Sequence, residues 1–162
     1  MKQENRLVAQ LFHYLAPFVD LERDLFICID GNAARKNATG QDARLEDPNV
    51  PDLWLAFCGD AGFTGIEAKI LDGYSVSIRQ GQLRAWRSDG TGAYKPRFWV
   101  ATNTDFTEFF CWHHSTLTPR LNDTESNAPD VKLSLADYPA EHRSHSIEEL
   151  ALYVLTHRPG PP

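Results

Sequence analysis

A chain of 162 residues, 42% of them hydrophobic, is long enough for one domain with a full core and short for two. No apolar run reaches the length a bilayer demands, and the opening MKQENRLVAQ lacks the basic-then-apolar order of a signal peptide, so a soluble cytoplasmic protein is expected. The net charge of −6 argues mildly against a polyanion partner, but the acidity is uneven: residues 101–162 hold four Lys/Arg against nine Asp/Glu, and residues 48–100 hold six against five.

In chain order, QENRLVAQLFHYLAP carries Leu7, Val8, Leu11, Phe12 and Leu15 at helical spacing, with Pro17 as a stop. DLFICID predicts a strand ending at Asp30-Gly31. Residues 31–50 are almost free of apolar side chains, and a polar stretch of that length inside a compact domain is usually functional or disordered. DLWLAF and FTGIEAKI predict two further strands, with CGDAG as the turn between them. SIRQGQLRAWRSDG predicts a helix interrupted at Gly81, PRFWVATN a strand, and TDFTEFFCWHH another helix with Asp105 and Glu108 at capping-box spacing. A polar stretch at about 115–145 precedes SIEELALYVLTH, an amphipathic helix capped by Ser146 with Glu149 at N3, and the final RPGPP is expected to fray. Alternating strands and helices predict a mixed α/β sheet flanked by helices. Residues 1–114 would form its core, and 115–162 an acidic extension packed on the same domain. Cys28, Cys58 and Cys111 are odd in number and lie in apolar runs, which predicts reduced, buried thiols.

The charges near the predicted strands need an explanation. In GIEAKI, Glu67 and Lys69 point to one face while Ile66, Ala68 and Ile70 point to the other. Asp52 precedes the neighbouring strand and reaches the same end. An E-x-K triplet alone is most simply an ion pair on a solvated face. Glu4, however, continues the helical stripe of Val8, Leu11 and Leu15, where it either faces water or needs a partner. Gln82 lies on a stripe with Ile78 and Trp86, as a structural hydrogen-bonder or a site residue. Crowded carboxylates raise one another's pKa unless a cation neutralises them, and Mg²⁺, which takes few carboxylates and keeps several waters, resolves the conflict. With a lysine to orient a water or stabilise developing charge, such a set suits phosphodiester hydrolysis.

Pro51-Asp52, fourteen residues, and then Glu67-Ala68-Lys69, followed by a helix carrying a glutamine, resembles the PD-(D/E)XK nuclease superfamily. The similarity is to its Holliday-junction-resolvase-like and VRR-NUC-type branches and covers about residues 1–112. That resemblance implies a restriction-endonuclease-like core and a Mg²⁺-dependent endodeoxyribonuclease, with Mn²⁺ able to substitute. It implies that Asp52, Glu67 and the Ala68 carbonyl bind the metal, with Glu4 in support. Lys69 would position the attacking water, and Gln82 (or Gln80) would orient Lys69. DNA is the implied partner, and cutting both strands of a duplex favours a homodimer. Independently of the resemblance, Arg35, Lys36 and Arg44 in the polar stretch, with Arg79, are expected to contact the nucleic-acid backbone. Rival signals are weaker. CWHH offers Cys111, His113 and His114 but no CxxC pair for zinc, and no partner acid is indicated for a Cys–His hydrolase. No phosphate-loop pattern appears, and Trp54, Trp86, Trp99 and Trp112 are most economically core, although one could stack on a base.

Overall fold

The computed structural model describes residues 2–28, 49–90, 92, 94–125 and 127–161. Helix α1 (Gln3–Leu15) opens the chain and tightens into a 3-10 turn, Ala16–Phe18, at Pro17. There follow β1 (Leu25–Cys28), β2 (Leu53–Ala56), β3 (Thr64–Ile70), β4 (Ser75–Ile78), α2 (Gln80–Trp86), β5 (Phe98–Thr102) and β6 (Phe109–His113). The chain continues with α3 (His114–Asp123), β7 (Val131–Ser134), β8 (His142–Ser144) and α4 (Ile147–His157). Six strands form one sheet in the order β1-β2-β3-β5-β6-β8, and β4 pairs with β7 in a separate antiparallel ribbon. Within the large sheet β3 and β5 run parallel and the other pairs antiparallel, giving the expected mixed α/β architecture.

Strand alternation sorts the apolar residues into two layers. Leu53, Leu55, Ile66, Ala68, Phe98, Val100, Phe109 and Cys111 face α1 and α4, meeting Leu7, Leu11, Leu150 and Val154 in one core cluster. Trp99, Ala101, Phe110 and Trp112 face the other way, onto α2, α3 and the ribbon, where Ile78, Leu83, Trp86, Leu117 and Leu133 complete a second cluster. Each fully buried large apolar side chain is worth about 1.5–3 kcal/mol, so both layers matter to stability. Two parallel strands need a crossover connection. Here β4 and α2 supply it between β3 and β5, on the second face. That single topological fact carries Gln82 over Glu67 and Lys69.

Several expectations are corrected. The helix expected from Ser77 begins at Gln80, because Val76 and Ile78 alternate into the second core and pair with Leu133 and Val131. Gly81 does not interrupt that helix: it sits in its first turn, where a Cβ would come within 2.8 Å of Asn49 Oδ1. The helix expected at 104–114 is a hairpin turn and a strand. Asn103 Oδ1 accepts from the N–H groups of Thr107 and Glu108, Phe106 takes a positive φ of 57°, and the residues of FFCWH alternate between the two cores. The polar stretch after it holds α3 and two strands, and β8 completes the large sheet beside β6 while α4 packs on α1. Cys111 is buried but Cys28 and Cys58 are exposed, the first because β1 is an edge strand. The tail is tied down: Arg158 pairs with the Asp60 carboxylate at 3.3 Å, and the Gly160 carbonyl accepts from Ala61 N–H at 2.6 Å. Of the tryptophans, Trp86, Trp99 and Trp112 are core, whereas Trp54 is half-buried. Among the described residues, no helix is long and apolar enough to cross a membrane.

Candidate active site

The β2–β3 register pairs Leu53 with Ile66, so Asp52 sits one step beyond, opposite Glu67 and on its face. At this point the Asp52 carboxylate takes over the ladder's role: its Oδ2 accepts from Ala68 N–H at 2.8 Å. A strand residue's N–H and C=O point to the same edge, so the Ala68 carbonyl faces the Asp52 side as well. The two carboxyl groups face each other across the strand pair and interact electrostatically.

Glu67, Lys69 and Gln82 are 2%, 5% and 2% exposed, and they form one hydrogen-bonded circuit. The Gln82 amide donates to Glu67 Oε1 at 2.6 Å, and its own Oε1 accepts from Lys69 Nζ at 2.8 Å. Lys69 Nζ also lies 3.5 Å from Glu67 Oε1. The Arg79 N–H donates to Gln82 Oε1 at 3.2 Å, which anchors the amide to the start of α2. The first turn of this helix therefore delivers its glutamine oxygen to the lysine and its glutamine nitrogen to the glutamate, and no other orientation of the amide satisfies both.

Burial controls the electrostatics. Desolvation pushes Glu67 up to about 8, with the Asp52 charge adding to it and Lys69, Arg79 and Gln82 opposing it. Desolvation raises Asp52 too, against the Ala68 N–H bond and Lys69; the charge of Glu4 adds to the rise. Both carboxyls are thus biased toward the protonated form, a bias that a shared proton would satisfy, and a divalent cation is the natural replacement for that proton. The donor set fits such an ion of the Mg²⁺ type: two carboxylates, a backbone carbonyl on the same edge, and water for the remaining positions. Among the described residues, no three His, Cys, Asp or Glu side chains converge into a ready metal cage.

The floor of the site was not legible as functional. Trp99 is the β5 neighbour of Glu67 in register, and the Lys69 ammonium lies 5.7 Å from its ring centre, within cation–π range. The Trp99 indole N–H donates to His114 Nδ1 at 3.0 Å, so the other ring nitrogen of His114 carries the proton, 3.1 Å from the Trp86 carbonyl. Burial holds His114 down to about 4, which keeps it neutral and lets it brace Trp86 and Trp99, themselves packed edge-to-face at 5.4 Å.

The remaining candidates divide cleanly. Glu4 is exposed in the first turn of α1, yet its charge reaches Asp52, so it stands near the carboxylate pair without being buried with it. Gln82, not Gln80, meets the lysine; the Gln80 N–H turns instead to Asp130 Oδ1 at 3.3 Å. Arg79 is exposed at the mouth of the site. Arg35, Lys36 and Arg44 lie outside the described residues. The CWHH residues diverge: Cys111 is buried in the first core with its thiol pushed up by burial, His113 bonds the Tyr153 hydroxyl at 2.8 Å, and both nitrogens of His114 are engaged. Compared with protein-family models and with curated proteins, the sequence matches none.

Proposed function

We propose that this chain is a metal-dependent endonuclease that hydrolyses phosphodiester bonds in DNA, including branched or structured DNA, as the resemblance to the PD-(D/E)XK superfamily implies. The observation that carries the reading is the buried Glu67–Gln82–Lys69 circuit facing Asp52 across adjacent strands. A solvated ion pair explains neither the burial nor the glutamine, which places two opposite functions, a carboxylate and an ammonium, at a fixed separation.

Asp52, Glu67 and the Ala68 carbonyl are the residues that would hold Mg²⁺ or Mn²⁺. The bound ion would supply Lewis-acid stabilisation of charge on the phosphate. Lys69 gives one of its three N–H groups to Gln82, which leaves others to hold a water or a non-bridging phosphate oxygen. Gln82 keeps that ammonium aimed, and Trp99 beneath it supports the charge without neutralising it. Arg79 at the mouth offers a guanidinium to the DNA backbone. The reading places the enzyme in the cytoplasm, acting on both strands as a two-fold dimer.

A second reading has its own support. The circuit is satisfied without an ion, and the net charge is −6, which suits a catalytically inactive nuclease-like domain that binds or regulates another protein. Incubation with linear, supercoiled and four-way-junction DNA in Mg²⁺, Mn²⁺ or EDTA separates the two. Cleavage should require the metal. It should vanish in Asp52→Ala and Glu67→Ala and fall about 10²–10³-fold in Lys69→Met while DNA binding persists. Binding of no nucleic acid, with Lys69→Met altering stability alone, would establish the module instead.

A further inference from the structure

We propose that an aromatic groove beside the carboxylate pair seats one unstacked base of a single-stranded DNA segment, making the substrate a strand with an unpaired nucleotide next to the scissile phosphate. This rests on the nuclease reading and specifies its substrate.

The groove has a volume of about 200 Å³ and is lined by Pro51, Trp54, Phe63, Gly65, Tyr94 and Lys95. Strand alternation puts Trp54 on the face of Asp52, and its register partner Gly65 on the face of Glu67. The groove therefore begins two residues from the carboxylates, roughly 7 Å along the strands, on the same side of the sheet. Gly65 is required there: a Cβ would meet Pro51 Cγ at 2.8 Å and Pro96 Cα at 3.3 Å, so only bare backbone lets the prolines close on the strand.

The three rings do not behave like core. Phe63 and Tyr94 are 53% and 46% exposed, whereas the buried tryptophans are at most 2% exposed. Trp54 is held in one orientation by the bond from its indole N–H to the Pro51 carbonyl at 3.0 Å. Tyr94 and Phe63 flank it at ring separations of 4.6 and 5.8 Å, tilted by 49° and 52°. Rigid, accessible and mutually splayed rings leave π-faces for a flat guest. The volume falls below the roughly 300–1,000 Å³ of sites for drug-sized ligands and suits a single planar ring system. Lys95 lines the groove, and its ammonium bonds the nearby carbonyls of Arg87 and Ser88 at 2.6 and 3.3 Å. Both acceptors are neutral, so its charge remains for a phosphate. Aromatic faces with a cation beside a backbone track are how single-stranded nucleic acid is held without sequence preference.

The test measures binding of a short oligothymidylate, with Ca²⁺ replacing Mg²⁺, against a set of strands in which one nucleotide at a time is abasic. Wild type should lose about 5- to 150-fold in affinity at one position, the range of a single base–aromatic stack. A Phe63→Ala/Tyr94→Ala variant should bind intact and abasic strands alike. Should that variant fail to fold by circular dichroism, Phe63→Leu and Tyr94→Leu are measured singly, and each should shrink the discrimination. Wild type binding all strands equally, or a folded variant that keeps full discrimination, overturns the base seat. If wild type nevertheless cleaves duplex DNA with Mg²⁺, the nuclease reading survives that failure. If it neither binds nor cleaves any DNA, both fall together.

Discussion

Replacing Glu67 with glutamine tests the electrostatic reasoning without any assumption about substrate. Folding moves this carboxyl from an ordinary value near 4.5 to about 8, chiefly by burial and then by the Asp52 charge. The folded value is the higher one, so the protonated group's contribution is fully present below about 4.5 and is lost as pH rises through about 8. A change of that size corresponds to roughly 5 kcal/mol at full ionisation, distributed over the Asp52–Glu67 pair. For a chain of this length each kcal/mol moves the melting temperature by about 2–4 °C. Metal-free wild type, kept so with EDTA, should therefore melt about 10 °C or more lower at pH 9 than at pH 5 by scanning calorimetry. Glu67→Gln, which cannot ionise and retains an acceptor for Gln82, should show a much flatter profile. Added Mg²⁺ should level the wild-type curve at high pH and leave the variant unmoved. Parallel pH profiles for the two proteins would show that Glu67 ionises normally and would refute both the shared proton and its replacement by a cation.

Gln82→Leu strips the partners from a buried ammonium and a buried carboxyl at once, which should cost about 3–5 kcal/mol in urea unfolding; a cost under about 1 kcal/mol would show the circuit to be slack. On the opposite face, His113 and His142 surround Tyr153 with His157, Glu141, Glu149 and Arg97 nearby, and burial lowers both histidines. Their contribution is present above the ordinary histidine value and lost as pH falls through the depressed ones, so α4 should loosen in mild acid, seen as faster amide exchange in residues 147–157; unchanged protection at pH 5 would count against it.

The sequence alone determined the elements whose patterns are strictly local. The α1 stripe ending at Pro17, the GIEAKI alternation that aligns Glu67 with Lys69, and the Ser146 cap of α4 were all legible, because period and capping chemistry act within a few residues. Local reasoning failed where tertiary burial competes with it. FFCWH follows a capping-like D-x-x-E yet forms β6, because its alternate residues are needed in two different cores. The candidate site shows the same division. Residue types and spacing singled out Asp52, Glu67, Lys69 and Gln82, and the helical stripe favoured Gln82 over Gln80, but the parallel β3–β5 pairing, with its crossover through β4 and α2, is what lands Gln82 on the lysine. Trp99 and His114 beneath the lysine, and Trp54, Phe63 and Tyr94 beside the carboxylates, carry no local signature. Their positions arise from strands and loops far apart in the chain meeting on one face of the sheet, and that meeting is set by long-range pairing that no short window of sequence contains.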